Sequence, residues 1–160
     1  MDKLPHSQLP VNVKKLGTGD INQFMELILL FKEVFEMEDF KHPPLSYLKE
    51  LLDKDHFMVF VAESEGKVVG GLTSYILLQY YSQHPLAYIF DLAVKKELQR
   101  AGIGKKLMAK IQLYCKDRGV EEVFVQADEG DANALDFYRT TGGRAEKVVH
   151  FTYSLISQVP

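Results

Sequence analysis

Hydrophobic positions follow a helical period in some segments of the chain and a strand pattern in others. Near the N-terminus, apolar side chains recur every three or four residues and predict the buried face of a helix, formed by Phe24, Leu27, Ile28, Phe31 and Phe35. Asp20 and Gln23 have the spacing of a capping box, which predicts that this helix begins after Asp20. The helical period returns over 45–52, 103–116 and 132–140, and predicts three further helices.

Apolar and β-branched runs lie between these helical segments. They predict six strands, at 11–16, 57–63, 68–78, 86–94, within 118–127, and at 147–155. SEGK, at 64–67, predicts a tight turn that joins the second and third strands into a hairpin. The resulting order of strands and helices predicts a mixed α/β sheet covered by helices, and it differs from the regular alternation of a doubly wound fold.

Composition and charge limit the classes of protein to which this chain can belong. A chain of 160 residues with 46% hydrophobic residues predicts one domain spanning 1–160, with 1–10 as a flexible N-terminal extension. The net charge of −3 argues against nucleic acid and membrane surfaces as partners. A single cysteine, Cys115, forms no internal disulfide and favours a reducing compartment. With no signal peptide or apolar span in the sequence, we expect a cytoplasmic protein.

The stretch QRAGIG, residues 99–104, follows the fourth predicted strand and leads into the helix over 103–116. A helix that starts in a glycine loop presents unpaired backbone N–H groups at the positive end of its dipole, and glycines let an anion approach closely. These features suit a pyrophosphate. A tight turn between strand and helix explains an isolated G-x-G equally well, so these residues alone leave both interpretations open.

Three blocks together resemble a known superfamily. Gln99, Gly102 and Gly104 match the [QR]-x-x-G-x-[GA] acetyl-CoA motif of the GNAT superfamily of N-acetyltransferases, and DLAV (91–94) and ALDFYRTTGG (134–143) resemble its fourth strand and last helix. YIFDLAV, FVQADEGDANALDFY and VVHFTYSL resemble the aminoglycoside 3-N-acetyltransferases of the gentamicin-resistance type. Asp131 replaces the superfamily's usual asparagine, and Gly142-Gly143 replaces its common Gly-Phe.

The resemblance implies a fold and an activity. The fold is α/β (α+β) of the GNAT type, a central mixed and mostly antiparallel sheet of six to seven strands flanked by about four helices. The activity is direct transfer of an acetyl group from acetyl-CoA to the 3-amino group of gentamicin-like aminoglycosides in a ternary complex, which would confer antibiotic resistance. Acetyl-CoA is then a cosubstrate, and no metal is expected. Homodimer formation is compatible with this resemblance.

The resemblance also assigns cofactor-binding residues. Backbone groups of Leu92, Ala93 and Val94 would pair with the pantetheine arm as an added strand, with one N–H polarising the thioester carbonyl. The N–H groups of the following residues would hold the pyrophosphate: Arg100, Ala101, Gly102, Ile103, Gly104 and Lys105. Gln99, the first residue of the acetyl-CoA motif, is assigned to the same cofactor site.

Two residues are candidates for proton transfer. Tyr138 matches the superfamily's tyrosine, and a phenol with an ordinary pKa of about 10 can protonate the departing thiolate at pH 7. Its alternative role is a buried helix residue beside Phe137. Asp91 is the only acid in LAYIFDLAV and is our candidate base, directly or through a water, with a structural hydrogen bond at a strand bulge as its alternative. Asp128 and Asp131 are rival bases.

Local charge supports an anionic cofactor and a cationic acceptor. Basic residues surround the glycine loop, whereas two other segments are acidic, one at 33–39 (Glu33, Glu36, Glu38, Asp39) and one at 128–131 (Asp128, Glu129, Asp131). We expect the two acidic segments to converge at the end of the fourth strand opposite the loop and to bind an aminoglycoside or another small cationic amine. Each segment is also explained as solvated surface.

Two other functions remain open from the sequence. The same machinery would acetylate a polyamine, a small metabolite or a protein lysine. From a different class, the chain could be a catalytically silent acyl-CoA-binding module, against which the presence of Tyr138 and Asp91 argues.

Overall fold

The computed structural model describes residues 10–156, and this part of the chain divides into two compact units, 10–126 and 127–156. The extension predicted over 1–10 lies outside the described residues except for Pro10. The expectation of a single domain stays a prediction.

The unit 10–126 is built on an open sheet of five strands. They are β1 (Asn12–Lys15), β2 (Phe57–Ser64), β3 (Lys67–Leu77), β4 (Leu86–Val94) and β5 (Glu122–Val125), in that spatial order. Neighbouring strands are antiparallel except for β4 and β5, which are parallel. The mixed, mostly antiparallel α/β sheet predicted from the sequence is therefore confirmed, with five strands among the described residues in place of six or seven.

The described part of the chain contains four α-helices. The unit 10–126 holds α1 (Ile21–Val34), α2 (Leu45–Leu52) and α3 (Ile103–Lys116), with a short 3-10 helix at Lys96–Leu98, and the unit 127–156 holds α4 (Ala132–Thr140). The predicted bounds of α2, α3, α4 and β4 agree with the structure, because each segment combines one clear period with a Gly, Pro or Asp at its start or end.

The predicted capping box at α1 is wrong, although the helix does begin after Asp20. The Asp20 carboxylate makes no capping bond to the helix; instead it accepts hydrogen bonds from the Gly17 N–H at 2.8 Å and from Lys14 Nζ at 3.2 Å. The first of these bonds is the main reason that the pKa of Asp20 is lowered. The side chain thus stabilises the turn before α1 and forms an ion pair with Lys14 of β1.

The last predicted strand, 147–155, is not formed. Residues 143–156 have no regular secondary structure, and their apolar side chains are exposed, among them Val149 at 77% and Phe151 at 76%. An alternating apolar pattern predicts a strand only where a neighbouring strand supplies the other half of the hydrogen bonds, and no such partner occurs among residues 10–156.

Two adjacent glycines in β3 bring a helix onto each face of the sheet. A Cβ on Gly71 would lie 2.5 Å from Leu27 Cδ1 of α1, whereas a Cβ on Gly70 would lie 3.4 Å from Ile103 Cγ2 of α3. Because consecutive residues of a strand point to opposite faces, α1 and α3 cover opposite sides of the sheet. The predicted core of α1 is confirmed for Phe24, Leu27 and Phe31, which are buried, whereas Phe35 is 40% exposed.

Gly71→Ala should destabilise the fold by about 1–3 kcal/mol, because the new methyl group would also lie 2.7 Å from the carbonyl oxygen of Phe60, which is backbone and cannot rotate away. Urea unfolding measures the change. Gly19→Ala is the matched control, since a Cβ there meets nothing within 4 Å. Equal stability of the Gly71 variant and the wild type would mean that α1 does not pack this closely on β3.

Candidate active site

A bulge interrupts β4 just before Asp91. Thr73 of β3 lies opposite Asp91, and the next residue, Ser74, lies opposite Ile89, so that Phe90 is the extra residue. A bulge bends the strand and redirects its side chains. The hydroxyl of Ser74 donates a hydrogen bond to the carbonyl oxygen of Tyr88 at 2.9 Å and ties the two strands together beside it.

Beyond the bulge, one edge of β4 is open. β5 pairs with β4 only up to Ile89, and no described strand continues the pairing along 90–94. The Lys95 N–H bonds to the Val69 carbonyl of β3, and backbone groups alternate in direction along a strand. The N–H and C=O groups of Leu92 and Val94 therefore point away from β3, toward the open edge. This edge can accept an extended ligand as an added strand.

The glycine loop leads from this edge into α3. Arg100 (φ 63°) and Gly102 (φ 82°) both adopt the left-handed conformation, and Gly102 is the N-cap of α3. The N–H groups of 103–105 lie in the first turn of α3 and therefore have no acceptor within the helix. A Cβ on Gly102 would meet no described atom within 4 Å, so the backbone here is open to a ligand. The geometry fits the pyrophosphate site predicted for QRAGIG.

Gln99 has a structural role that the sequence does not reveal. Its side-chain amide donates a hydrogen bond to the carbonyl oxygen of Val94 at 3.2 Å. The bond fixes the loop against the last residue of β4, on the same side as the open edge. It thereby aligns the two surfaces that the resemblance assigns to pantetheine and pyrophosphate.

Asp91 lies half-buried on the face of the sheet that α1 covers. It is opposite Thr73 of β3. Thr73 is two residues from Gly71 and therefore faces the same side of the sheet, and Gly71 lies against Leu27 of α1. Burial raises the pKa of its carboxyl group. No hydrogen bond or ion pair to this carboxylate occurs among the described residues.

A row of aromatic rings lies on this same face, and sequence reasoning did not identify it. The row starts in the core and passes from ring to ring at centroid distances of 4.9–6.1 Å through Phe24, Phe57, Tyr75, Phe90, Tyr88 and Phe124. The pKa of Tyr75 is raised, mainly by burial and further by Tyr47 and Asp91. Only the bulge brings Phe90 to this face. The sequence allows a bulge at Asp91 as one alternative, but it does not predict that the extra residue is Phe90.

The acidic segment 33–39 differs from expectation in its position. Glu36 pairs with Lys96 at 2.8 Å, and the pair lies at the C-terminal end of β4, beside the glycine loop. The hydrogen bond to Lys96 lowers the pKa of Glu36. The expectation that this segment lies at the opposite end of β4 is therefore wrong for Glu36, because the chain after α1 reaches the loop end of the strand. Glu33, Glu38 and Asp39 are exposed.

The second acidic segment belongs to the unit 127–156. The side chain of Asp131 is the N-cap of α4 and accepts a hydrogen bond from the Ala134 N–H at 3.0 Å. This bond explains why an acid suits the position where the superfamily has asparagine, since both are strong N-caps. Asp128 and Glu129 are exposed.

Tyr138 lies half-buried on α4, in the last turns of the helix. Its ring contacts that of Phe137 at 5.1 Å between centroids. The N–H of Gly143 donates to the Tyr138 carbonyl oxygen at 2.9 Å, and a Cβ at position 143 would lie 2.9 Å from this oxygen. With Gly142 at φ 94°, the two glycines form a Schellman ending, which accounts for Gly142-Gly143 after the helix.

Other groups considered in the sequence lie outside these sites. Cys115 is buried on α3, and burial raises the pKa of its thiol. Both observations agree with its interpretation as a small core residue. Among residues 10–156, no group of three or more His, Cys, Asp and Glu side chains could hold a metal ion. No helix in this range is long and apolar enough to cross a membrane.

Comparisons with known proteins identify the family and the fold of the chain. The model of the acetyltransferase (GNAT) family matches residues 22–142, and the chain belongs to this family. It is 51% identical to the aminoglycoside acetyltransferase meta-AAC0020 from an uncultured soil metagenomic sample, solved with sisomicin; the match covers 91% of this chain and 97% of that one, with a TM-score of 0.90.

One more distant solved structure shares the fold, and one more distant curated relative matches in sequence. The aminoglycoside N-acetyltransferase AAC(6')-Iy, solved with CoA, is 18% identical with a TM-score of 0.76, covering 92% of this chain and 97% of that one. An uncharacterized N-acetyltransferase of Methanocaldococcus jannaschii is 24% identical over 92% of this chain, which spans 66% of the length of that curated relative.

Proposed function

We propose that this chain is an acetyl-CoA-dependent N-acetyltransferase that acetylates the 3-amino group of gentamicin-like aminoglycosides and so confers resistance to them. The observation that carries the choice of substrate is the 51% identity to meta-AAC0020, which was solved with sisomicin. Acetylation turns an ammonium group into a neutral amide, so it removes one of the charges by which a polycationic compound is recognised.

The donor would lie along the open edge of β4 and the glycine loop. The pantetheine arm would add to the edge beside Leu92 and Val94, and the pyrophosphate would rest on the N–H groups of 103–105 at the start of α3. Gln99 would hold the two surfaces in register through its bond to Val94. One N–H of the edge would stabilise the oxyanion that forms on the thioester carbonyl.

The transfer needs the loss of two protons from the acceptor ammonium and the gain of one by the departing thiolate. The acceptor ammonium would lose a proton to the Asp91 carboxylate, directly or through a water, and its nitrogen would then attack the thioester carbonyl carbon. The new C–N bond forms as the C–S bond breaks. The departing thiolate of CoA would take the proton of the Tyr138 hydroxyl. The nitrogen, now bonded to the acetyl carbon, would lose its second proton, which restores the Tyr138 hydroxyl directly or through water, and Asp91 would release its proton to solvent.

Release of CoA from acetyl-CoA by the purified protein tests the function directly. We expect turnover with gentamicin, sisomicin and kanamycin, and much slower turnover with spermidine or a lysine peptide. Gentamicin already acetylated at the 3-amino group is the matched control and should be inert, while NMR of the product of unmodified gentamicin locates the acetyl group.

Three other results would contradict parts of the proposal. Faster turnover of spermidine or of the peptide would remove the antibiotic assignment and leave an acetyltransferase for another amine. Turnover of the 3-acetylated gentamicin would remove the assignment to the 3-amino group. Acetyl-CoA binding without turnover of any amine would make the chain a silent acyl-CoA-binding module.

A further inference from the structure

Phe90 is the only exposed residue of β4. Its side chain is 57% exposed, whereas the other residues of Leu86–Val94 are buried or half-buried. A phenylalanine in an inner strand normally packs into the core, and the bulge at position 90 is what turns this ring outward. An exposed aromatic ring that the backbone specifically presents is a candidate contact for a ligand.

The ring of Phe90 is held rigidly. It stands nearly perpendicular to Tyr75 and to Tyr88, at interplanar angles of 83° and 84° and a centroid distance of 6.0 Å from each. Tyr88 stacks on Phe124 at 4.9 Å, and its hydroxyl donates a hydrogen bond to Gln126 Oε1 at 3.0 Å. Aromatic neighbours on both sides therefore fix the orientation of Phe90 before any ligand binds, which lowers the entropic cost of binding.

A carboxylate adjoins this ring on the same face of the sheet. Tyr88 is opposite Tyr75, and Asp91 is opposite Thr73. Thr73 and Tyr75 are two residues apart in β3, so they face the same side of the sheet. Asp91 and the aromatic row therefore share one face, with the carboxylate directly after Phe90 in the strand. The face combines an apolar ring, phenol hydroxyls and a negative charge.

We propose that the ring of Phe90, held between Tyr75 and Tyr88, is the surface on which the amino-sugar or aminocyclitol ring that carries the reacting amine packs, with that amine directed to Asp91. Such a ring has an apolar C–H face and a cationic edge, which match an aromatic ring beside a carboxylate. The inference rests on the proposed function, and it makes Phe90 a specificity residue for ring-bound amines over linear ones.

Kinetics of Phe90→Leu and Phe90→Tyr test this role. Phe90→Leu keeps an apolar side chain but loses the aromatic face, and we expect KM for sisomicin to rise about tenfold while KM for acetyl-CoA stays unchanged. KM for spermidine, which has no ring, should change little, and Phe90→Tyr should restore the wild-type KM. Leu113→Ala, on α3 and similarly exposed at 56%, is the matched control.

NMR of the bound aminoglycoside adds a geometric readout. Protons of the packed sugar ring should shift upfield on binding to the wild type, and this shift should disappear with Phe90→Leu.

An unchanged KM and an unchanged upfield shift in an active Phe90→Leu enzyme would overturn the inference while the proposed function stands. Loss of thermal stability without a change in KM would also overturn it, because Phe90 would then serve the packing of the protein and not the binding of the substrate. A wild type that turns over no aminoglycoside would overturn the proposed function and this inference with it.

Discussion

Tyr138→Phe should lower kcat by about a hundredfold or more, with little change in KM for acetyl-CoA. The substitution removes the hydroxyl that we propose as proton donor to the CoA thiolate, and general acid catalysis typically contributes about 10²–10⁴-fold. The phenyl ring and its contact with Phe137 are retained, so the packing of α4 should stay intact. Steady-state kinetics with sisomicin measures the effect.

The nature of the leaving group separates acid catalysis from a structural role. A donor thioester with a more acidic thiol needs less protonation as it leaves, so it should lose much less rate on Tyr138→Phe than acetyl-CoA does. Tyr153→Phe, which deletes a hydroxyl from an exposed tyrosine of the same unit, is the matched control and should keep full activity. Wild-type kcat in the Tyr138 variant would remove this residue from the mechanism.

Asp91→Asn should lower kcat/KM by a similar factor, and mainly above the pKa of Asp91. Burial raises this pKa, so the wild-type rate should fall as the pH drops through a value above the ordinary aspartate range and the carboxylate becomes protonated. The variant has no carboxylate to titrate, so the loss of rate should be largest at neutral pH and should shrink at low pH. Parallel pH profiles of the two proteins would instead favour Asp128, Asp131 or a water as the base.

The same substitution should increase stability at neutral pH. A carboxyl group whose pKa is raised by folding binds its proton more tightly in the folded state. Its contribution to stability is therefore most favourable below the ordinary aspartate pKa of about 3.9, and it declines as the pH rises to the raised value. Asp91→Asn removes this cost, so its Tm should exceed that of the wild type at pH 7 and approach it below about pH 4. A lower Tm at pH 7 would indicate a structural role for the carboxylate.

Local periodicity predicted most elements because short-range chemistry decides them. The bounds of α2, α3, α4 and β4 follow from apolar spacing and from the residues that start or end each segment. The prediction of a strand at 147–155 is wrong for the opposite reason. It has an alternating pattern, but a strand exists only with a partner, and pairing is a long-range property that the pattern does not contain.

The candidate site divides in the same way. QRAGIG predicts an anion-binding loop because glycine conformations and helix N-termini are local properties, and the left-handed Gly102 at the start of α3 is compatible with that prediction. The position of Glu36 beside Lys96 depends instead on how the chain after α1 lies against β4. Charge runs in the sequence do not specify which end of a strand they reach.

The sequence by itself determined the helices, most strands, the mixed α/β class and the loop that suits a pyrophosphate, because each depends on residues close together in the chain. Only the tertiary structure decided that β4 bulges at Phe90, that its edge opens after Ile89 and that Asp91 lies on the face with the aromatic row. These features arise from the register between strands that are distant in sequence. Register is set by the packing of the whole sheet against α1 and α3, and no single segment encodes it.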